Sequence, residues 1–511
     1  MISKHRPAPL AKLRQQAQRQ MKNPACWREL ADACLAAGES AEAIGALEQL
    51  RRLQPKDWLA GFQLANQYYA VSQYPQALDL YMLLMEQDPG SWEVRNNLAL
   101  LLKQLGLRPL AEQCWQEAIA LKPDYVDALS NLGNLYRDQQ QFDLAQQYLG
   151  RALALRPDSA ELLTNLGLLL KQQGDLAGAI NAYRQAVAQA EVPVELAFNY
   201  AIALIQSGEY KQGFAWYEKR WQMPRLAERR QAYDLAMPEW QGEYLAGKTL
   251  LVWNEQGLGD MMQMARYLPE WKQRYPDCRV LLRVDPTLLR LLGDLPGVDQ
   301  LFSTLDTMPS ADFHLSAMSF PFRLRTQLDS IPALQPYLHA DSTLAEEWAQ
   351  RLGTRRQRPR VGLVWQSGAP GIGLPEFDRL TRSLSPEHLA SLLQWQDVEW
   401  INLQVGAEPL PDELLTHLSV LAQPLTDFAD TAAVLSQLDA LVSVDTAAAH
   451  LGGALGLPTL VLMRASGGNL FPAVGESMPW YPCMRLLRQQ RLFDWGPVVA
   501  ALPGVLPSML K

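Results

Sequence analysis

The chain has 511 residues, of which 48% are hydrophobic and 20% charged. That is more than one ordinary domain of roughly 100–200 residues accommodates, and too apolar for a disordered chain. A net charge of −8 and a pI near 5.5 argue against nucleic acid as the main partner. No run of about 18 or more consecutive apolar residues occurs, so no transmembrane helix is expected.

The first residues, through Asn23, are basic but carry no apolar core, so they do not read as a secretory signal. Five widely spread cysteines (Cys26, Cys34, Cys114, Cys278, Cys483) form no C-x-x-C pair. They read as reduced thiols of a cytoplasmic protein, with neither a zinc knuckle nor a disulfide framework.

Pro55, Pro89, Pro123 and Pro157 are 34 residues apart. Ala43, Ala77, Ala111, Ala145 and Ala179 keep the same step, as do Leu30, Leu64, Leu98, Leu132 and Leu166, each followed by alanine or glycine. Small residues let the two helices of a hairpin approach closely, and proline ends the second helix before the next repeat begins. This period and pattern resemble the tetratricopeptide repeat. Six repeats start at 24, 58, 92, 126, 160 and 194, the last with Gly213 in place of alanine and no closing proline. An α-solenoid is expected over 24–225. Position six of the repeats holds Asn97, Asn131, Asn165 and Asn199, a ladder along the first helices. An amide with both donor and acceptor can pair with an extended peptide backbone, or simply bond within the helix pairs.

Residues 226–247, with Pro238 and Gly242, read as a linker. From Lys248 short apolar runs alternate with helical segments, which predicts parallel α/β units. Strands are expected at 249–253, 279–284 and 299–303, with a helix near 286–292, giving a first half over 248–355. The basic cluster Arg355, Arg356, Arg358 and Arg360 marks the junction. The second half, 356–511, is expected to hold strands at 361–365, 399–403, 441–444 and 459–463. Its helices are expected from Ser385, over 428–438, and from Asp445-Thr446 to near Gly456. The fold class is thus α + α/β: a solenoid, then two Rossmann-like halves whose shared cleft is the expected ligand site.

Three motifs carry a more specific likeness. Gly257-Leu258-Gly259-Asp260, Asp427-Phe428-Ala429-Asp430-Thr431-Ala432 and Val444-Asp445-Thr446-Ala447-Ala448-Ala449-His450-Leu451 resemble the bacterial glycosyltransferases related to ADP-heptose heptosyltransferases. The tail Ser477-Met478-Pro479-Trp480-Tyr481-Pro482 matches that family's end region. Repeats followed by this module look like bacterial fusion proteins proposed to glycosylate proteins, flagellins among them, and are similar in arrangement to the eukaryotic O-GlcNAc transferases. The resemblance implies a GT-B fold with a nucleotide sugar in the cleft, no metal, and Asp260 as the base. The chain departs from the family in the glycine-rich loop Gln366-Ser367-Gly368-Ala369-Pro370-Gly371-Ile372-Gly373, after which only Arg382-Ser383 matches. It departs again after Met463, where Arg464-Ala465-Ser466-Gly467-Gly468-Asn469 replaces aromatic residues around an Asp-Trp pair. The donor sugar and nucleotide stay open.

Each candidate also has a plainer reading. The helix opened by Asp445 and Thr446 suits a diphosphate, with His450 one turn on as a donor, or it is a capped helix with a core histidine. Gly257 and Gly259 allow close approach of a phosphate, although no third glycine completes a dinucleotide fingerprint. Asp260 is a general base or an N-cap. Arg382 screens diphosphate charge or is a loop arginine. Gln404, after the 399–403 strand, reads a base or ribose or is a loop glutamine. Six histidines and no D-x-D element support no metal site, and no cofactor beyond the nucleotide-sugar substrate is expected. The leading expectation is a cytoplasmic protein glycosyltransferase whose repeats hold the acceptor. A lipid or lipopolysaccharide glycan transferase and a non-enzymatic scaffold are the alternatives.

Overall fold

The computed structural model describes residues 10–189, 192–232, 235–332, 336–354, 357–368, 376–406, 410–468 and 470–510. Arg355, Arg356, Asn469 and the loop stretch from Ala369 to Gly373 lie outside them. The chain divides into two compact units, Met1–Leu169 and Leu170–Lys511.

In the first unit helices pair as Pro24–Ala37 with Ser40–Leu53, Trp58–Ala70 with Tyr74–Gln87, Trp92–Gln104 with Arg108–Leu121, and Val126–Asp138 with Phe142–Leu155. Asp57 and Ser91 cap two of the first helices through Ala60 N–H and Val94 N–H. The periodic residues do the packing: Leu30, Leu64, Leu98 and Leu132 are buried, and the alanines at 43, 77, 111 and 145 have no exposed surface. One helix was not expected. Leu10–Arg19 precedes the first repeat and buries Leu13 and Ala17. Its other residues are mostly polar (Lys12, Arg14, Gln15, Gln16, Gln18 and Arg19), which hid it in the sequence.

The second unit begins inside the fifth repeat. It contains the helices Leu176–Val187, Val194–Gln206 and Tyr210–Tyr217. The sixth repeat is a core element here. Ile205, Tyr210, Phe214 and Tyr217 share one apolar cluster with Trp240, Trp271 and Trp480. Gly213 stands where other repeats have alanine, and the facing helix leaves no room for a side chain there. An added Cβ would lie 2.7 Å from Ile205 Cγ1 and 2.9 Å from Ile205 N. The segment read as a linker is docked: Trp240 and Leu245 are buried, and Trp240 N–H donates to His314 O at 2.9 Å.

Two parallel sheets follow. The first holds β1 (Thr249–Trp253), β2 (Arg279–Val284), β3 (Gln300–Ser303) and β4 (Phe313–Ser316), ordered β3-β2-β1-β4. The second holds β5 (Arg360–Val364), β6 (Glu399–Asn402), β7 (Ala440–Val444), β8 (Thr459–Met463) and β9 (Met484–Arg488), ordered β6-β5-β7-β8-β9. β5, β7 and β8 are buried along their whole length, as strands covered on both faces must be. That is why their apolar runs were readable. β4 and β9 were missed. β4 has four residues and an interior histidine, and β9 is an edge strand with Arg485 and Arg488 in it. The helix expected near 286–292 is only the short turn Pro286–Leu288. In each sheet the strand order reverses once, between β1 and β4 and between β5 and β7. Crevices form at the carboxyl ends of strands at such points.

Candidate functional site

The helix Leu258–Ala265 follows β1, and its N-cap is Gly257, not Asp260. Asp260 sits one turn in and reaches back, its Oδ2 accepting Gly257 N–H at 3.0 Å. Gly259 is crowded by another chain segment. A Cβ there would stand 2.6 Å from His450 Cδ2 and 3.3 Å from Ala447 Cα. The N-terminus of this helix therefore lies against the N-terminus of Ala447–Ala454, the helix after β7.

At that second helix the N-cap is Thr446, with Asp445 one residue outside it. Thr446 makes no side-chain cap bond; its hydroxyl lies 2.9 Å from Ser443 Oγ. Asp445 faces Arg382 at 3.4 Å and is overlain by Gly468, where a Cβ would come within 2.8 Å of the carboxylate. The Arg382 Nε is buried without a hydrogen bond. His450 does not face the helix end. It is 6% exposed, its Nδ1 lies 3.2 Å from the Tyr481 hydroxyl, and its ring abuts Phe471. Burial first, and Arg266 beyond it, push its pKa down to about 4 against the pull of Asp445. It is neutral at pH 7, the satisfied core histidine of the plainer reading.

Gln404 is likewise committed. Its Oε1 accepts Trp365 N–H at 3.1 Å and Gln366 N–H at 2.8 Å, and its Nε2 donates to Gln366 O and Val405 O. It fixes the loop leaving β5 and has no amide group left over for a base.

These elements enclose a cavity of about 350 Å³ at the carboxyl ends of β5 and β6. Val364, Leu403, Leu425 and Phe428 give it an apolar wall; Thr426, Thr431 and Thr446 give it hydroxyls; Ala447 and Ala448 present the first turn of a helix. From the first α/β half it is flanked by Leu258 and Thr287. An apolar pocket with a few placed polar groups and a helix N-terminus suits a phosphate-bearing ligand of nucleoside size. The rim is tied across the two halves by Arg290, 3.2 Å from Asp427 and 3.4 Å from Asp430. Asp427 caps the helix Phe428–Leu435 through Ala429 N–H and Asp430 N–H. Asp430 accepts from the Thr426 backbone and hydroxyl. Burial alone would raise its pKa, but these bonds and Arg290 bring it below the ordinary value.

Asp260 is the perturbed acid of the region. Although part of its surface is open, the surrounding protein raises its pKa to about 6. Desolvation dominates. Gly257 N–H and Arg382 oppose it, and the carboxylates of Asp445 and Glu255 reinforce it. Glu255 was not singled out in the sequence. It is 1% exposed and forms a two-point ion pair with buried Arg220 at 2.8 and 2.7 Å. A glutamate two residues beyond the end of a buried strand was the available signal. Arg220 stands in the charged run Glu218-Lys219-Arg220, which carries no local sign of burial.

In the repeats, Asn97 donates to Asn66 Oδ1 at 2.8 Å, Asn131 to Asn96 Oδ1 at 2.9 Å and Asn165 to Ser130 Oγ at 3.2 Å. The ladder stitches each repeat to the one before it. Asn97 Oδ1 in turn accepts from Asn96 Nδ2 at 3.0 Å. Asn199 lies in the second unit. Among the described residues no group of three His, Cys, Asp or Glu side chains is placed to hold a metal ion, and no helix is long and apolar enough to cross a membrane. All five cysteines are free thiols.

Comparison with known proteins agrees with the repeats. Residues 124–191 and 164–220 match tetratricopeptide repeat models. The chain therefore carries tetratricopeptide repeats, a kind of repeat that implies protein partners. Protein FlbA of Caulobacter vibrioides is 25% identical over 321 residues, 58% of this chain. The chain spans about half, 52%, of that relative's length. Among solved structures, the MamA protein is similar at 20% identity over 33% of this chain and 98% of its own, with a TM-score of 0.29. A thermophilic tetratricopeptide-repeat protein of Thermus thermophilus is similar at 24% identity over 36% of this chain and 100% of its own, with a TM-score of 0.33.

Proposed function

We propose that the chain is a GT-B glycosyltransferase of Rossmann-like halves that moves a sugar from a nucleotide donor to a protein held by its repeats, flagellins being one acceptor class. The observation that carries this reading is the cavity beside the first turn of Ala447–Ala454, with Asp260 across from it near pH 6. The nucleoside lies against Phe428 and Leu403, and the diphosphate meets the free N–H groups of Ala447 and Ala448, near Arg382. Asp260 accepts the proton of the acceptor hydroxyl as the glycosidic bond forms and the nucleotide leaves. A carboxylate with a pKa near the working pH suits that role.

The test is calorimetry with a panel of nucleoside mono- and diphosphates, followed by mass spectrometry of acceptors co-expressed with the chain. Binding of one nucleoside diphosphate, and a sugar mass on the acceptor, is the expected result. If no nucleotide binds, the second reading holds: a protein-binding scaffold whose α/β unit does not catalyse. That reading is favoured by the full commitment of the Gln404 amide to backbone groups.

A further inference from the structure

The crevice at the first sheet's reversal point is occupied by the protein itself. Glu255 leaves the end of β1, and Ser316 ends β4 and donates to Glu255 Oε2 at 2.5 Å. Between them enters Arg220, from the 3₁₀ turn Glu218–Gln222 that ends the sixth repeat. Its guanidinium donates to both Glu255 oxygens, to Ser319 Oγ at 2.9 Å and to Glu218 Oε1 at 2.5 Å. The rings of Tyr217 and Trp221 stack on it at 4.7 and 4.4 Å. The next residue, Gln256, donates to the Tyr217 hydroxyl.

Taking a guanidinium and a carboxylate out of water is costly, and well-packed apolar residues commonly stabilise as well or better. Stability alone therefore does not account for charges here. Their position does. Glu255 and Gln256 are the start of the loop that leads through Gly257 to Asp260, and both are fixed by residues of the sixth repeat. We infer that Arg220 is a positioning residue: through Glu255 and Gln256, the end of the repeats sets the loop that presents Asp260 to the cleft. The inference rests on the reading of Asp260 as the acid–base group, but it is tested without turnover.

The groups that face Asp260 are Glu255 on its own loop, Asp445 and Arg382 from the second α/β half, Tyr217 from the sixth repeat, and neutral His450 behind Gly259. Glu255 raises the Asp260 pKa, and Arg220 is the counter-charge paired with it, so removing either one changes the field at Asp260.

The experiment is a carboxylate NMR titration of the full chain labelled with ¹³C-aspartate, with Asp260→Asn to assign the signal. In Glu255→Gln, a carboxylate that raises the Asp260 pKa is gone and Arg220 keeps Glu218 alone as its counter-charge, so the Asp260 midpoint falls by about 1 pH unit. In Arg220→Met, Glu255 is left uncompensated, and the midpoint rises by about as much. The double variant Arg220→Met/Glu255→Gln, which removes both charges, returns it close to the wild-type value. If Arg220→Met does not fold, Glu255→Gln and the double variant carry the test, because removing both partners is tolerated better than stranding one. Midpoints that stay at the wild-type value, or that move the same way in both single variants, overturn the inference. Midpoints that separate as expected in a chain without transferase activity uphold it and overturn the function instead.

Discussion

The two α/β halves treat the same structural opportunity in opposite ways. In the first sheet the crevice between β1 and β4 is filled by Arg220 and closed with Glu255, Ser316 and Ser319. In the second the crevice between β5 and β7 is left as a cavity of about 350 Å³. Strand order creates both crevices; side chains decide which one can take a ligand. A buried guanidinium with every neighbouring acceptor engaged fixes a loop. An apolar wall beside a helix end without a side-chain cap bond leaves the second crevice open.

The difference can be pressed from the chemistry downward. On the transferase reading, Asp260→Asn lowers the transfer rate at least ~10²-fold while nucleotide affinity stays within about twofold, as loss of a general base should. Steady-state kinetics beside calorimetry checks this, and transfer near the wild-type rate leaves Asp260 as a helix-end residue only. Next, the open crevice can be plugged. Ala448→Phe places a ring where the cavity lies and weakens nucleotide binding by at least ~10-fold, about 1.4 kcal/mol. Its melting temperature stays near that of the wild type, because the ring fills space that is already empty. Unchanged affinity would move the ligand elsewhere.

A third variant acts where the halves touch. Gly259→Ala forces a methyl to within 2.6 Å of His450. Overpacking of that kind costs about 1–3 kcal/mol, partly offset by the better helix propensity of alanine, about 1 kcal/mol. A net loss of stability in denaturant is expected, and a gain would mean that the helix ends have room to part.

The smallest effect is a pH dependence. Folded Asp260 keeps its proton up to about pH 6, whereas an unfolded aspartate releases it near 4. Its stabilising contribution is complete below about pH 4 and is lost as pH rises through about 6. Asp260→Asn should therefore be more stable than the wild type at pH 7, by about 1 kcal/mol once partial exposure is allowed for, and should lose that advantage below pH 4. An advantage that does not vary with pH would show that Asp260 titrates normally.

The repeats and most strands were legible because they follow simple periods. A 34-residue step fixed the helix pairs, and β5, β7 and β8 read as unbroken apolar runs. What escaped was whatever depends on partners distant in sequence. Helical spacing points His450 at a phosphate, but Tyr481 and Phe471 claim its ring. Gln404 looks free in the sequence because the backbone groups it binds, 38 and 39 residues earlier, are brought beside it only by the pairing of β5 with β6. Asp260 and Asp445 are each displaced from the cap they seem to occupy, by Gly257 and Thr446, since a cap is set by backbone angles rather than by side-chain type. Arg220 and Glu255 could not be paired by any local pattern, being 35 residues apart on different elements.

The sixth repeat's place in the core of the second unit bears on how this chain can be cut and recombined. Helical repeat arrays are usually treated as interchangeable cassettes, severed wherever the last hairpin ends. Here a scission after Arg225 would strip Tyr210, Phe214 and Tyr217 from Trp480 and Trp271, leaving a large oily face on the α/β fragment and stranding Glu255 without its counter-charge. A recombinant in which the leading repeats are exchanged for those of another protein should instead be joined ahead of Leu170, so that the final hairpin is inherited together with the sheets.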